Sequence, residues 1–174
     1  MKYAAYAVGA VVVLVLALAA TGFCIPRTHV AASRIRVNAT PTAVFQLLED
    51  RRGATSWRAD LTSVEILPDH DGHPVFRETG SVGPMTLEVV LAEPPRKMIT
   101  QIADPDLPFG GRWIYEIAPD GDGAVVTITE EGEIKNPVFR TMARFVFGYH
   151  GAELQYLRAL GKKLGADGPP EKVR

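Results

Sequence analysis

From Leu61 to Glu133 the chain breaks into short alternating runs, and this stretch restricts its folding more than any other. Val64–Leu67, Val75–Glu78, Met85–Leu91, Met98–Ile102, Trp113–Ile117 and Val125–Thr129 each read as strands. Asp69-His70-Asp71-Gly72 and Asp120-Gly121-Asp122-Gly123 supply hairpin turns, with glycine free to take positive φ. Pro94-Pro95 separates another pair of strands. Short strands at such regular spacing, punctuated by turns, predict one antiparallel meander.

Elements at either end of the meander complete the plan. Asn136-Pro137 combines a capping residue with a proline suited to the first helical position. One long helix from Pro137 to Leu164 is predicted, with Val138, Met142, Phe145, Leu154, Leu157, Leu160 and Leu164 facing inward. Gly148 and Gly151 interrupt it, each at a cost of about 1 kcal/mol relative to alanine, and allow a bend or a close approach to the sheet. Upstream, Val30–Val37 alternates as a strand with Ile35 and Val37 facing in and Arg34 and Arg36 facing out. Thr40-Pro41 then starts a helix whose apolar stripe is Val44, Leu47 and Leu48. Arg51-Arg52-Gly53 ends that helix, and a short second one includes Ser56-Trp57-Arg58. A curved antiparallel sheet wrapped around a C-terminal helix leaves a cavity between the two, so the expected architecture itself points to a ligand.

The chain is 174 residues long and 47% hydrophobic, but the apolar residues are unevenly spread. Residues 4–23 carry no charge and no polar face, and about 20 helical residues span some 30 Å of hydrocarbon. Residues 1–26 are therefore expected to be a transmembrane anchor or signal segment. Lys2 and a possible Ala17-Leu18-Ala19 cleavage site fit a secretory signal, whereas the length of the run fits an uncleaved anchor. Cys24 follows Phe23 rather than a small residue and reads as an interfacial side chain, not a lipidation site. Lys2 on one side and Arg27, Arg34 and Arg36 on the other leave open which side of the membrane holds the soluble domain. Cleavage would release that domain to the periplasm or exterior. Residues 27–165 form the expected ligand-binding domain, and residues 166–174, with Pro169-Pro170, a frayed tail.

Charge and cysteine content exclude several function classes. A net charge of −1 with interspersed signs offers no basic face for nucleic acid. One cysteine rules out an internal disulfide. His70 and His73 flank a hairpin turn with Asp69 and Asp71, but a turn without a rigid scaffold or a second ligand pair is not expected to hold a metal. No phosphate loop, CxxC pair or Ser-His-Asp spacing is present, and no cofactor is expected.

Several residues remain candidates for chemistry. Glu130 on the last strand and Arg140 at the start of the long helix are expected to lie close, as a structural ion pair or with Arg140 presenting donors to a ligand. Trp57 and Arg58 could line the cavity mouth or seal the short helix against the sheet. Phe109-Gly110-Gly111 reads as a tight turn, required for backbone reasons or acting as a gate. His150, between the two helix glycines, is the one histidine expected near the cavity, where it could serve as a general base.

The motifs Pro26-Arg27-Thr28-His29, Trp57-Arg58, Arg77-Glu78, Leu107–Trp113, Thr129-Glu130-Glu131-Gly132 and Asn136–Arg140 resemble the membrane-anchored branch of the polyketide cyclase/dehydrase and START-related (SRPBCC, Bet v 1-like) superfamily. The resemblance covers nearly the whole chain beyond the apolar run. It implies an α+β helix-grip fold, with a seven-stranded curved antiparallel sheet around a long C-terminal helix and an apolar cavity. Its members include carriers, receptors and enzymes, so fold alone does not settle function. Trp57, Arg58, Phe109, Gly110, Trp113, Phe139, Arg140, Phe147 and His150 are the expected ligand-binding residues. The first expectation is a membrane-tethered module for an apolar or amphipathic small molecule such as a lipid. The alternative is a cyclase or dehydratase, with His150 or Glu130 as base and Arg140 or Arg58 as electrophile. A scaffold whose cavity is filled by Phe76, Phe109, Phe139, Phe145 and Phe147 is a third class.

Overall fold

A computed structural model describes residues 2–173. Residues 1 and 174, at the limits of the first and last expected segments, lie outside the described residues. Helix α1 (Lys2–Phe23) comes first, followed by β1 (Thr28–Val37), α2 (Pro41–Glu49) and a 3-10 turn (Arg52–Ser56). The meander then runs through β2 (Leu61–His70), β3 (His73–Gly80), β4 (Gly83–Glu93), β5 (Lys97–Ile102), β6 (Phe109–Asp120) and β7 (Gly123–Ile134). Helix α3 (Pro137–Met142), a π-helical turn (Ala143–Phe147), α4 (Gly151–Leu164) and the short β8 (Glu171–Lys172) complete the chain.

All strands join one antiparallel sheet in the order β2-β3-β4-β5-β6-β7-β1-β8. This is the α+β helix-grip arrangement, with eight strands rather than the expected seven. The added strand comes from the tail: Glu171 and Lys172 pair with Arg34 and Ser33 of β1, so the tail is not frayed there. Alternation in β1 holds as read, with Ile35 and Val37 buried and Arg34 exposed. Helix α2 starts where expected: the Thr40 hydroxyl accepts from the Ala43 amide at 3.3 Å and Pro41 occupies the first turn. Such a cap contributes about 1 kcal/mol. Its buried face is Val44, Phe45 and Leu48, while Leu47 is half-buried. The core lies where α2 and α4 meet β1, β6 and β7, with Val37, Val44, Phe45, Val126, Ile128, Leu157 and Leu160 packed together.

The long C-terminal helix is broken in two. Asn136 caps α3 through its side-chain oxygen, which accepts from the Val138 and Phe139 amides at 2.9 and 3.2 Å. The helix widens into the π turn and stops at Gly148, whose φ of 74° is left-handed and favours glycine. Only α4 grips the sheet. Gly161 lets it sit close to β1, because a Cβ there would stand 2.6 Å from Ile35 Cδ1. Phe145, expected inward, is exposed on the π turn.

Helix α3 instead packs against α1, and the two run antiparallel. Gly22 of α1 lies against the Pro137 backbone so closely that a Cβ would clash, and one turn on, the Thr141 hydroxyl donates to the Leu18 carbonyl at 2.8 Å. Arg140 is buried in this junction. It donates to the Ile25 carbonyl at 2.9 Å and lies over the Phe23 ring. A cation beside the C-terminal carbonyls of α1 also complements the helix dipole. The expected Glu130–Arg140 pair does not form, since α3 turns Arg140 away from the sheet.

Candidate functional site

A cavity of about 610 Å³ lies between the concave face of the sheet, α2, the 3-10 turn and the α3–α4 region. Residue parity explains its walls. On β6, Trp113, Tyr115 and Ile117 face one side, as do Val126, Ile128 and Glu130 on β7. Ile35 and Val37 set the inner parity of β1, and counting back by twos brings Ser33, Ala31 and His29 to the same face. That count was available in the sequence, but the expected strand began at Val30 and so His29 was missed.

The floor is polar and mostly buried. Arg58 donates from Nη1 to Glu78 and from Nη2 to Asp60, both at 2.7 Å, with its guanidinium 4.9 Å above the Tyr156 ring. Burial pulls the Arg58 pKa down, but the two carboxylates more than reverse this and keep it charged. Burial raises Glu78, opposed by Arg58. Burial and the neighbouring Glu78 charge push the Tyr115 phenol up to about 12, and burial holds Tyr156 well above its ordinary value. Both phenols therefore keep their protons near neutral pH and remain hydrogen-bond donors. Trp57 and Trp113 pack edge-on against Tyr156, at 5.4 and 5.6 Å between ring centroids. The Trp57 indole N–H is buried without a partner. Arg51 also lines the cavity, 5.1 Å from the Phe76 ring centroid, where burial lowers its pKa.

A second polar group sits in the cavity wall. His29 Nε2 is 3.2 Å from Glu130 Oε1, and the Trp113 indole donates to Glu130 Oε2 at 3.0 Å. Gly132 makes room for the imidazole, which stacks on Tyr149 with 4.1 Å between centroids. Around the mouth three apolar lining residues, Val82, Phe139 and Phe147, are exposed.

Trp57, Arg58, Phe109, Gly110, Trp113, Phe139 and Phe147 therefore line one cavity, together with Glu130. Arg140 and His150 do not. Arg140 belongs to the α1–α3 junction described above. His150 lies at the start of α4, with Nδ1 3.2 Å from the Ser33 hydroxyl and 3.6 Å from Glu153 Oε2. Burial and the Lys172 charge lower its pKa, opposed by Glu130. Glu153 is fully buried and neither carboxyl oxygen has a well-formed hydrogen bond. Burial pushes its pKa up to about 7, against the pull of the nearby Ser33 hydroxyl. Phe109-Gly110-Gly111 is not a tight turn: it opens β6, paired with β7 from Phe109↔Ile134 onward, which leaves no free loop to gate. Gly111 is still needed, because φ is +130° and a Cβ would strike the β7 backbone. Among the described residues no cluster of His, Cys, Asp or Glu could hold a metal. His70 lies 3.5 Å from Glu88, and His73 bonds the Val89 carbonyl.

Similar folds occur widely. A START superfamily protein from Mycobacterium smegmatis superposes with a TM-score of 0.64 at 17% identity, covering 78% of this chain and 97% of that one. The Zhui aromatase/cyclase from Streptomyces sp. R1128 gives 0.65 at 14% identity, covering 79% and 93%. Truncated norcoclaurine synthase from Thalictrum flavum gives 0.62 at 14% identity, covering 79% and 94%. At these identities the likeness shows the fold alone. No curated protein matches the sequence significantly. Residues 27–161 match the family described as "Polyketide cyclase / dehydrase and lipid transport", and with that match over most of its length the chain belongs to this family, within the START-like SRPBCC superfamily, whose fold implies a hydrophobic ligand-binding cavity.

Proposed function

We propose that the protein is a membrane-tethered binding module that holds an amphipathic, lipid-like molecule with its polar head on the cavity floor. The observation that carries this reading is the change in lining from a buried polar floor to an apolar mouth. A volume of about 610 Å³ suits a small lipid-like molecule. Floor donors without a carboxylate partner, the Trp57 indole N–H and the Arg51 guanidinium, favour an acceptor or anionic head. Arg58 is committed to Asp60 and Glu78 and contributes by fixing Tyr156.

Tethering is supported by the way α1 is built into the rest of the chain. Its side chains from Val11 to Leu16 are exposed and call for a hydrocarbon surround, while its C-terminal turns hold Thr141 and Arg140. Cleavage after Ala19 would strip the α1 partner from Thr141. This favours a retained anchor over a removed signal.

The test is uptake of a fluorescent polyene fatty acid by the full chain in detergent, with native mass spectrometry for co-purifying lipid. Saturable uptake is expected, and loss of it in Ala152→Trp, which places an indole at a solvent-facing position of the cavity wall. Uptake that the substitution leaves untouched would refute cavity binding.

One observation favours a second reading, an enzyme of cyclase or dehydratase type. The His29–Glu130 pair faces the cavity, and an imidazole steadied by a carboxylate can pass a proton to or from a bound molecule. A bound molecule converted to a dehydrated product by the wild type but not by His29→Gln would favour that reading. Unchanged mass and unchanged chromatographic retention in both, which also excludes an isomeric ring closure, would favour binding alone.

A further inference from the structure

We propose that the segment from Phe139 to Phe147 is embedded in the lipid bilayer beside α1, so that the cavity opens sideways into lipid instead of into water. The inference rests on the tethering reading and adds to it where the door of the cavity lies.

Depth comes from the pairing of the two helices. Pro137 meets Gly22, and one turn later Thr141 bonds to Leu18, so α3 descends along α1. Leu18 lies five residues before Phe23, about 7.5 Å along the helix axis and within the apolar run. If α1 spans the bilayer, Thr141 is already at hydrocarbon depth, and the π turn continues from there.

Surface chemistry fits that placement. Phe139 is 54% exposed, and Phe145, Val146 and Phe147 are 69%, 63% and 69% exposed. Four large apolar side chains within nine residues, continuous with the apolar surface of α1, form a patch that water disfavours and lipid covers. Between Pro137 and His150 the only ionic side chains besides His150 are Arg140 and Arg144, and none is acidic. Arg140 is buried at the end of α1. Arg144 has a stem long enough to carry its guanidinium back to the lipid phosphates. Across the mouth, Val82 at the β3–β4 turn is 73% exposed and lines the same cavity, giving the opening a second apolar lip.

The experiment places a nitroxide on single cysteines in the full chain, reconstituted in phosphatidylcholine vesicles and carrying Cys24→Ser. Phe145→Cys and Val146→Cys report on the Phe139–Phe147 segment, here called the lid, Val12→Cys on α1, and Asp122→Cys on the distant β6–β7 turn. Access to oxygen is compared with access to a water-soluble nickel chelate. The lid labels are expected to side with Val12, oxygen-rich and nickel-poor, and Asp122 with water. Lid labels that side with Asp122 while Val12 stays in lipid overturn the inference and leave tethering intact. A water-exposed Val12 overturns both. Lid labels shielded from both reagents, with dipolar broadening that vanishes on dilution by unlabelled chain, would place a second copy on this face and also overturn it.

Discussion

Floor and mouth of the cavity are built on opposite principles. The floor is a closed network in which Arg58, Asp60, Glu78 and Tyr156 satisfy one another largely out of water. The mouth is a set of exposed rings and aliphatic groups with little to hold them but α1. A polar network buried in protein is costly to disturb, because each lost partner leaves a desolvated charge. An exposed apolar lip adds almost nothing to folding and acts through what it meets outside. Stability and the proposed ligand exchange thus fall at different ends of the same cavity.

The contrast can be broken most directly at the floor. Arg58→Leu should cost about 3–5 kcal/mol, since it leaves Glu78 and Asp60 without their cation. The midpoint of a denaturant titration reads this, and an unchanged midpoint would mean that the floor is not a unit. Glu153→Gln tests the buried carboxyl in the first turn of α4. Its folded pKa is raised to about 7, so its neutral form is the stable one: full stability lies below the unfolded value, near 4.5, and is lost as pH rises through 7. The glutamine variant should lose that slope and be more stable than wild type above pH 7, by about 3 kcal/mol at most. Parallel pH profiles for the two proteins would refute the assignment. Thr141→Val removes one hydrogen bond between α3 and α1, worth about 1 kcal/mol. Proteolysis of the α3 segment should quicken while the midpoint for the sheet holds. Phe145→Ser should have the smallest effect on folding, within about 0.5 kcal/mol at an exposed site. It should nevertheless slow transfer of the fluorescent fatty acid to and from vesicles. A large loss of stability would show that the lip belongs to the core.

The parts legible in the sequence were those governed by local rules. Strand alternation, the Thr40 and Asn136 caps and the hairpin turns depend on residues close in the chain, and each recurs in the structure. Those that depend on distant partners were not legible. The sequence puts Glu130 and Arg140 on consecutive elements and so suggests a pair, but the end of α1 offers Arg140 a carbonyl and a ring instead. The break at Gly148 was visible as two glycines, though not that it would end the helix and turn Phe145 outward. For the site, most of the expected lining residues do face the cavity, since strand parity and the family motifs point to them. His29 needed only the same alternation carried one residue past Val30. Arg51, Tyr115 and Tyr156 needed the packed structure, because nothing in their local sequence distinguishes a floor residue from ordinary core.

Two residues of the tail carry a last consequence. A sheet's terminal strands expose unpaired backbone amides and carbonyls that can recruit the same strand of a neighbouring molecule. By pairing with Ser33 and Arg34, and through the 2.6 Å Arg34–Glu171 ion pair, β8 occupies part of that template on β1. At the opposite margin, β2 carries Pro68, and its register with β3 shifts between Leu67 and His70. Both margins of the sheet are thus poor templates for edge-to-edge growth. Under the tethering proposed above, copies of the chain would share the plane of a membrane at high local concentration, and blunted margins would keep their encounters from becoming fibres.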